Sequence, residues 1–161
     1  MTSVLTLEAW LEAAIGALNE VATSSLGTAP IERSEGSMPE EAGAFLPLFS
    51  DHESIHVGLF STRAGAAALT RSLLGMGPED ELSDSDIADA VGEIVNIFGG
   101  VMQRALHGEL KRVDLGLPVF IWGLVAPTER LKRLDGGVMI GDVPAKLILL
   151  RGAVELPGGK G

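Results

Sequence analysis

The clearest alternation of apolar and polar positions in the chain lies in residues 84–107, DSDIADAVGEIVNIFGGVMQRALH. Ile87, Val91, Ile94, Phe98 and Val101 recur at helical spacing and make one apolar stripe. Asp89, Glu93 and Asn96 stand at i, i+4 and i+7, so a helix aligns them on another face. A first helix is predicted over 6–26, with Leu7, Leu11, Ala14, Ile15 and Leu18 as its buried face. Thr6 suits its N-cap, Glu8 its first turn, and Gly27 with Pro30 its end. Another short helix follows Thr62 and runs through Leu74 to Gly75, with Pro78 beyond.

Strand patterns occupy the remainder. Residues 54–61 alternate, with Ile55, Val57 and Leu59 on one face. Residues 31–41 read as a short edge strand plus loop. Residues 44–49 read as a second short strand, held to an edge position by Pro47. Past the long helix, 113–125 has strand character with Pro118 and Gly123 inside it. Residues 137–140 and 145–150 follow, joined by a Gly141-Asp142 turn that predicts a hairpin. The unbroken apolar run 147–150 fits a central, doubly covered strand. Helix, strands, two helices and strands together predict an α+β domain, long helices packed on a largely antiparallel sheet. One domain over 1–155 is expected, with a flexible tail at 156–161. Ala14-Ile15-Gly16-Ala17 resembles Ala90-Val91-Gly92-Glu93 at an offset of 76, which points to a pseudo-duplicated architecture.

Composition narrows the function classes. With 46% hydrophobic residues the chain can bury a substantial core. Its net charge of −10 disfavours nucleic acid and anionic membranes, which require clustered positive charge. The small cluster Arg130, Lys132 and Arg133 reads as a solvated turn. The absence of cysteine removes disulfides, thiolate metal sites and Cys nucleophiles. No apolar run is long enough to span a bilayer, and the first ten residues lack a basic start and apolar core. A cytoplasmic location is the expectation.

Few constellations could carry chemistry. His52 and His56 straddle a loop and a strand without a third ligand, and His107 is explained by the dipole of a helix C-terminus. Gly99-Gly100 lies within a helix, without the strand-then-glycine spacing that cradles phosphates. The line Asp89, Glu93, Asn96 remains, and a solvated face would account for it. Yet a mid-helix Asn costs about half a kcal/mol relative to Ala, and each interior Gly about 1 kcal/mol more. That loss asks for a reason: close approach by a partner, or tight packing of another element of the same domain.

With this line the chain resembles the CheC/CheX/FliY family of chemotaxis phosphatases, and CheX-like proteins in particular. Their motif is Asp or Ser, three residues, Glu, two residues, Asn, and a Pro further on. Asp89, Glu93 and Asn96 match it, and Pro118 follows after 21 intervening residues, one short of the family spacing. The 54–61 strand, the Ala/Leu helix ending Leu-Leu-Gly-Met and the acidic linker before the motif helix also look family-like. The resemblance implies a pseudo-duplicated CheC/CheX-like fold, a homodimer, and hydrolysis of the aspartyl phosphate of a CheY-type response regulator. Asn96 would enter the receiver and position water, and Glu93 would pair with its phosphate-contacting Lys. Asp89, Gly99, Gly100 and Pro118 would support docking. Mg²⁺ would belong to the receiver, so this chain should bind no cofactor or metal. In the repeat, Glu93 aligns with Ala17 and Asn96 with Glu20, so one site per chain is expected. The competing reading is a non-catalytic binding or dimerisation module that kept the fold and the docking helix.

Overall fold

A computed structural model describes residues 4–152; the expected tail at 156–161 lies outside them. The elements in order are α1 (Leu7–Ser24), β1 (Glu32–Ser34), β2 (Ala42–Ser50), β3 (Ser54–Ser61), α2 (Arg63–Leu74), α3 (Asp84–Leu106), β4 (Val113–Leu115), β5 (Val119–Trp122), β6 (Leu131–Ile140) and β7 (Val143–Gly152). The fold is α+β. All strand pairs are antiparallel, in the order β1-β6-β7-β3-β2-β4, with β5 also pairing β2.

That order is a palindrome. Exchanging β1 with β4, β2 with β6 and β3 with β7 reproduces the sheet read backwards, and the same exchange pairs α1 with α3. Each half therefore lends its edge strand to the other half. Burial sharpens the relation. The pairs Trp10/Ala90, Leu11/Val91, Ala14/Ile94, Leu18/Phe98, Val21/Val101, Ala22/Met102 and Leu26/Leu106, all offset by 80, are buried in both copies. The offset of 76 expected from the short sequence match is thus about one helical turn away from the structural one. A shift of four leaves the apolar face nearly in phase, which is why four residues could not settle it.

Helix starts follow the capping chemistry. The Thr6 hydroxyl accepts from Ala9 N, and the Thr62 hydroxyl accepts from Gly65 N. Ser83 opens α3 with a full capping box, its hydroxyl accepting from Asp86 N while the Asp86 carboxylate accepts from Ser83 N. All three helices pack on the sheet, α1 against β6 and β7, α3 against β2, β4 and β5, and α1 also against α3. Phe98 and Met102 of α3 and Trp10 and Leu18 of α1 are fully buried in this layer. Each such large apolar side chain contributes about 1.5–3 kcal/mol by leaving water.

Two strand expectations change. Pro47 does not mark an edge, because β2 has β3 on one side and β4 with β5 on the other. Ladder pairs with β4 cover 48–50 and those with β5 cover 42–45, so Pro47 falls in the gap between them. The N and C=O of one strand residue point to the same side. Pro47 O accepts from Gly116 N at 2.8 Å on that side, so the missing N–H faces the interruption. A Cβ on Gly116 would stand 2.3 Å from Pro47 Cγ, so only glycine fits there. The single strand expected over 113–125 is accordingly two strands, split at 116–118.

The second change concerns β6, which begins at Leu131, well before the expected 137–140. Arg133 is not part of a solvated turn. Its side chain is 21% exposed and bonds to Glu40, Asp135 and the Val125 carbonyl. Lys146 adds a bond to Glu40 at 3.3 Å, and Val125 N donates to the same carboxylate. Burial pushes the Glu40 carboxyl up, but these donors outweigh it and hold the group below the usual carboxylate range. The cluster ties the 123–127 segment across the outer face of the sheet, where Val125 packs against Phe45, Phe60, Ile148 and Leu150.

Candidate functional site

Ile94, Val95 and Phe98 anchor α3 in the core, and that fixes the orientation of its opposite side. Asp89, Glu93 and Asn96 are all exposed there. Among the described residues neither the Glu93 carboxylate nor the Asn96 amide has an internal hydrogen bond or ion pair. The helix thus presents a carboxylate and, one turn on, an amide with donor and acceptor both unused.

The split between β4 and β5 supplies the other wall. Pro118 and Phe120 lie across from α3, and with Ala88, Asp89, Gly92, Glu93, Asn96 and Leu117 they line a groove of about 330 Å³. Gly92 also lines the groove, where a Cβ would make ordinary contact with Pro118 Cγ at 3.9 Å. Pro118, one residue short of the expected spacing, stands beside the same carboxylate and amide. The interruption that Pro47 and Gly116 impose on the sheet places it there.

The paired glycines separate. Gly99 is buried, and a Cβ on it would meet Leu46 Cδ2 at 2.1 Å. Its smallness serves the packing of α3 on β2, the second of the two reasons the sequence left open for the glycines. Gly100 meets nothing within 4 Å. At i+4 from Asn96 it stands half-buried at the end of the same line, one turn on.

Leu117, Phe120, Ala88 and Gly92 line the groove without having been singled out in the sequence. Gly92 had a signal, a glycine costing helix stability one residue before Glu93. Leu117 had none, since an apolar residue in a strand-like run reads as core. Among the described residues no cluster of three or more His, Asp or Glu could hold a metal ion, and no helix is long and apolar enough to cross a membrane.

Known proteins share this fold. A family model described as chemotaxis phosphatase CheX matches residues 43–134, more than half of the chain. The crystal structure of chemotaxis protein CheX from Vibrio vulnificus is similar at a TM-score of 0.73 and 13% identity, covering 92% of this chain and 99% of that one. CheX from Desulfovibrio desulfuricans gives 0.70 at 16% identity, with 87% and 97% covered. A chain in the CheX-CheY-BeF3-Mg+2 complex from Borrelia burgdorferi gives 0.63 at 16%, with 92% and 98% covered. At these identities the likeness establishes the fold. No curated protein matches significantly.

Proposed function

The chain belongs to the chemotaxis phosphatase CheX family, and on that premise we propose that it dephosphorylates the aspartyl phosphate of a CheY-type response regulator. The observation that carries the reading is the pair Glu93 and Asn96, exposed and internally unpartnered on a helix whose other side is locked in the core. The Borrelia burgdorferi relative was solved in complex with CheY, BeF3 and Mg+2, which favours a receiver as partner here.

In the proposed step Asn96 enters the receiver site and holds a water in line with the phosphorus. The water oxygen bonds to phosphorus, the bond to the aspartyl oxygen breaks with its electrons, and inorganic phosphate and a free carboxylate result. Such a transition state is loose, so positioning outweighs base strength. A neutral amide orients water without adding negative charge beside the phosphoryl group. Glu93 pairs with the receiver's phosphate-contacting Lys and fixes the docking register. Asp89, one turn back, supports that contact. The Mg²⁺ belongs to the receiver. In a homodimer each protomer would carry one site, because only α3 bears the pair.

The test is to phosphorylate receivers from the same cell with a small phosphodonor and follow the phosphoryl lifetime. Acceleration over autohydrolysis by catalytic amounts of the protein is expected. No acceleration for any receiver would sink the reading, and binding without acceleration would leave a non-catalytic docking module.

A further inference from the structure

The groove at Pro118 has a counterpart across the helix. On the other side of α3, Leu73 and Leu74 of α2 face Asp86, Asp89, Ala90 and Glu93 over a groove of about 220 Å³. Glu93 borders both grooves. The polar line therefore runs along a ridge with a trough on each side. Each trough carries an exposed leucine at its wall: Leu117 is 83% exposed and Leu74 is 54% exposed. Leaving both in water forgoes the free energy that burial of a leucine supplies.

The two flanks differ in charge. Beside Leu74 lie Asp86, Asp89 and Glu93, of which Asp89 and Glu93 also border the Leu117 trough, and the loop that follows α2 adds Glu79, Asp80 and Glu81. Arg71 donates to the Asp80 carbonyl, not to a carboxylate, which leaves the flank acidic. Residues 115–120, which carry Leu117, contain no charged side chain. The surface around Glu93 and Asn96 is thus apolar on one side and apolar within acid on the other.

We propose that Leu117 and Leu74 are the docking anchors of this site and set which phosphorylated receiver it accepts and in which orientation. The proposal rests on the phosphatase reading above. The fitting receiver has an apolar rim on one side of its phosphoacceptor pocket and a basic one on the other. Turned end for end, the same receiver would bring its basic rim to Leu117 and its apolar rim to the carboxylates, losing both matches. Anchors of this kind act on complex formation, whereas Asn96 acts on the bound phosphoryl group.

Steady-state dephosphorylation of a receiver that the wild-type protein hydrolyses separates these roles. Leu117→Ser is expected to raise KM roughly tenfold with kcat little changed. Leu74→Ser should raise it less, and Leu117→Met should restore it. KM of the wild type should rise with added NaCl, and Asp86→Asn, at the residue that borders the Leu74 trough alone, should flatten that rise. Unchanged KM in both serine variants overturns the anchors while leaving the phosphatase reading intact. A fall in kcat at constant KM, or a drop in oligomeric state on sedimentation, also overturns them, assigning Leu117 to chemistry or to contact between copies. If the wild type hydrolyses no receiver, the phosphatase reading fails and takes this one with it. Unchanged circular dichroism would show that the variants fold.

Discussion

Side by side on one face of the sheet, α1 and α3 bury the same succession of positions and expose different ones. At the offset of 80 that matches their buried residues, Ala13 occupies the place of Glu93 and Gly16 the place of Asn96. Both helices satisfy the same packing problem, set by the palindromic sheet beneath them. Only α3 carries a carboxylate and an amide at these two positions, and only α3 faces the β4–β5 interruption with Pro118. The comparison separates what a duplicated scaffold requires, a stripe of apolar volume, from what one copy adds to it.

The largest effect that could break the comparison is at Asn96. In the variant Asn96→Ala the acceleration of phosphoryl loss should fall by at least about 100-fold, the cost of losing a positioned water, with circular dichroism unchanged because the residue is exposed. Unfolding in that variant would return Asn96 to a structural role.

Glu93→Ala comes next. Loss of a charge-assisted contact should lower kcat/KM by roughly tenfold or more, seen in the same assay as a weaker salt dependence.

The glycines sharpen the contrast through stability. Gly99→Ala should lower stability by about 1–3 kcal/mol, since the new methyl overlaps Leu46 at the α3–β2 contact. Gly100→Ala and Gly16→Ala, each in open space, should raise it by roughly 0.5–1 kcal/mol. Urea midpoints at constant slope would read all three. A stabilised Gly100→Ala variant with weakened receiver affinity would mark Gly100 as a close-approach position.

The smallest effect distinguishes the helix starts. Hydrogen bonds from the Ser83 backbone and hydroxyl hold the Asp86 carboxyl below its usual value of 3.8. With the folded value depressed, the stabilisation is present above pH ~3.8 and fades as pH falls through the folded-state value. Asp86→Asn should therefore flatten the acid loss of amide protection at the start of α3 and leave α1, capped by Thr6 alone, unchanged.

Local chemistry made much of this legible in advance. The Thr6, Thr62 and Ser83 starts, the alternation at Ile55, Val57 and Leu59 and the Gly141-Asp142 turn depend on neighbours in sequence, and the elements formed there. The spacing of Glu93 and Asn96 was readable because a helix converts spacing into a face. Pro47 misled because one residue cannot reveal that the neighbouring strand is broken opposite it. Arg133 misled because the carboxylate that draws it inward, Glu40, is far away along the chain.

By itself, then, the sequence determined the helices, the α+β class, the net charge and a carboxylate and amide aligned on one helix face, because short-range periodicity and capping act within a few residues. Tertiary structure alone decided the palindromic strand order, the burial of Gly99 against Leu46 and the exposure of Leu117. It also brought Pro118 beside Glu93 and Asn96. These depend on contacts between segments far apart in sequence, and such contacts form only when the sheet is assembled.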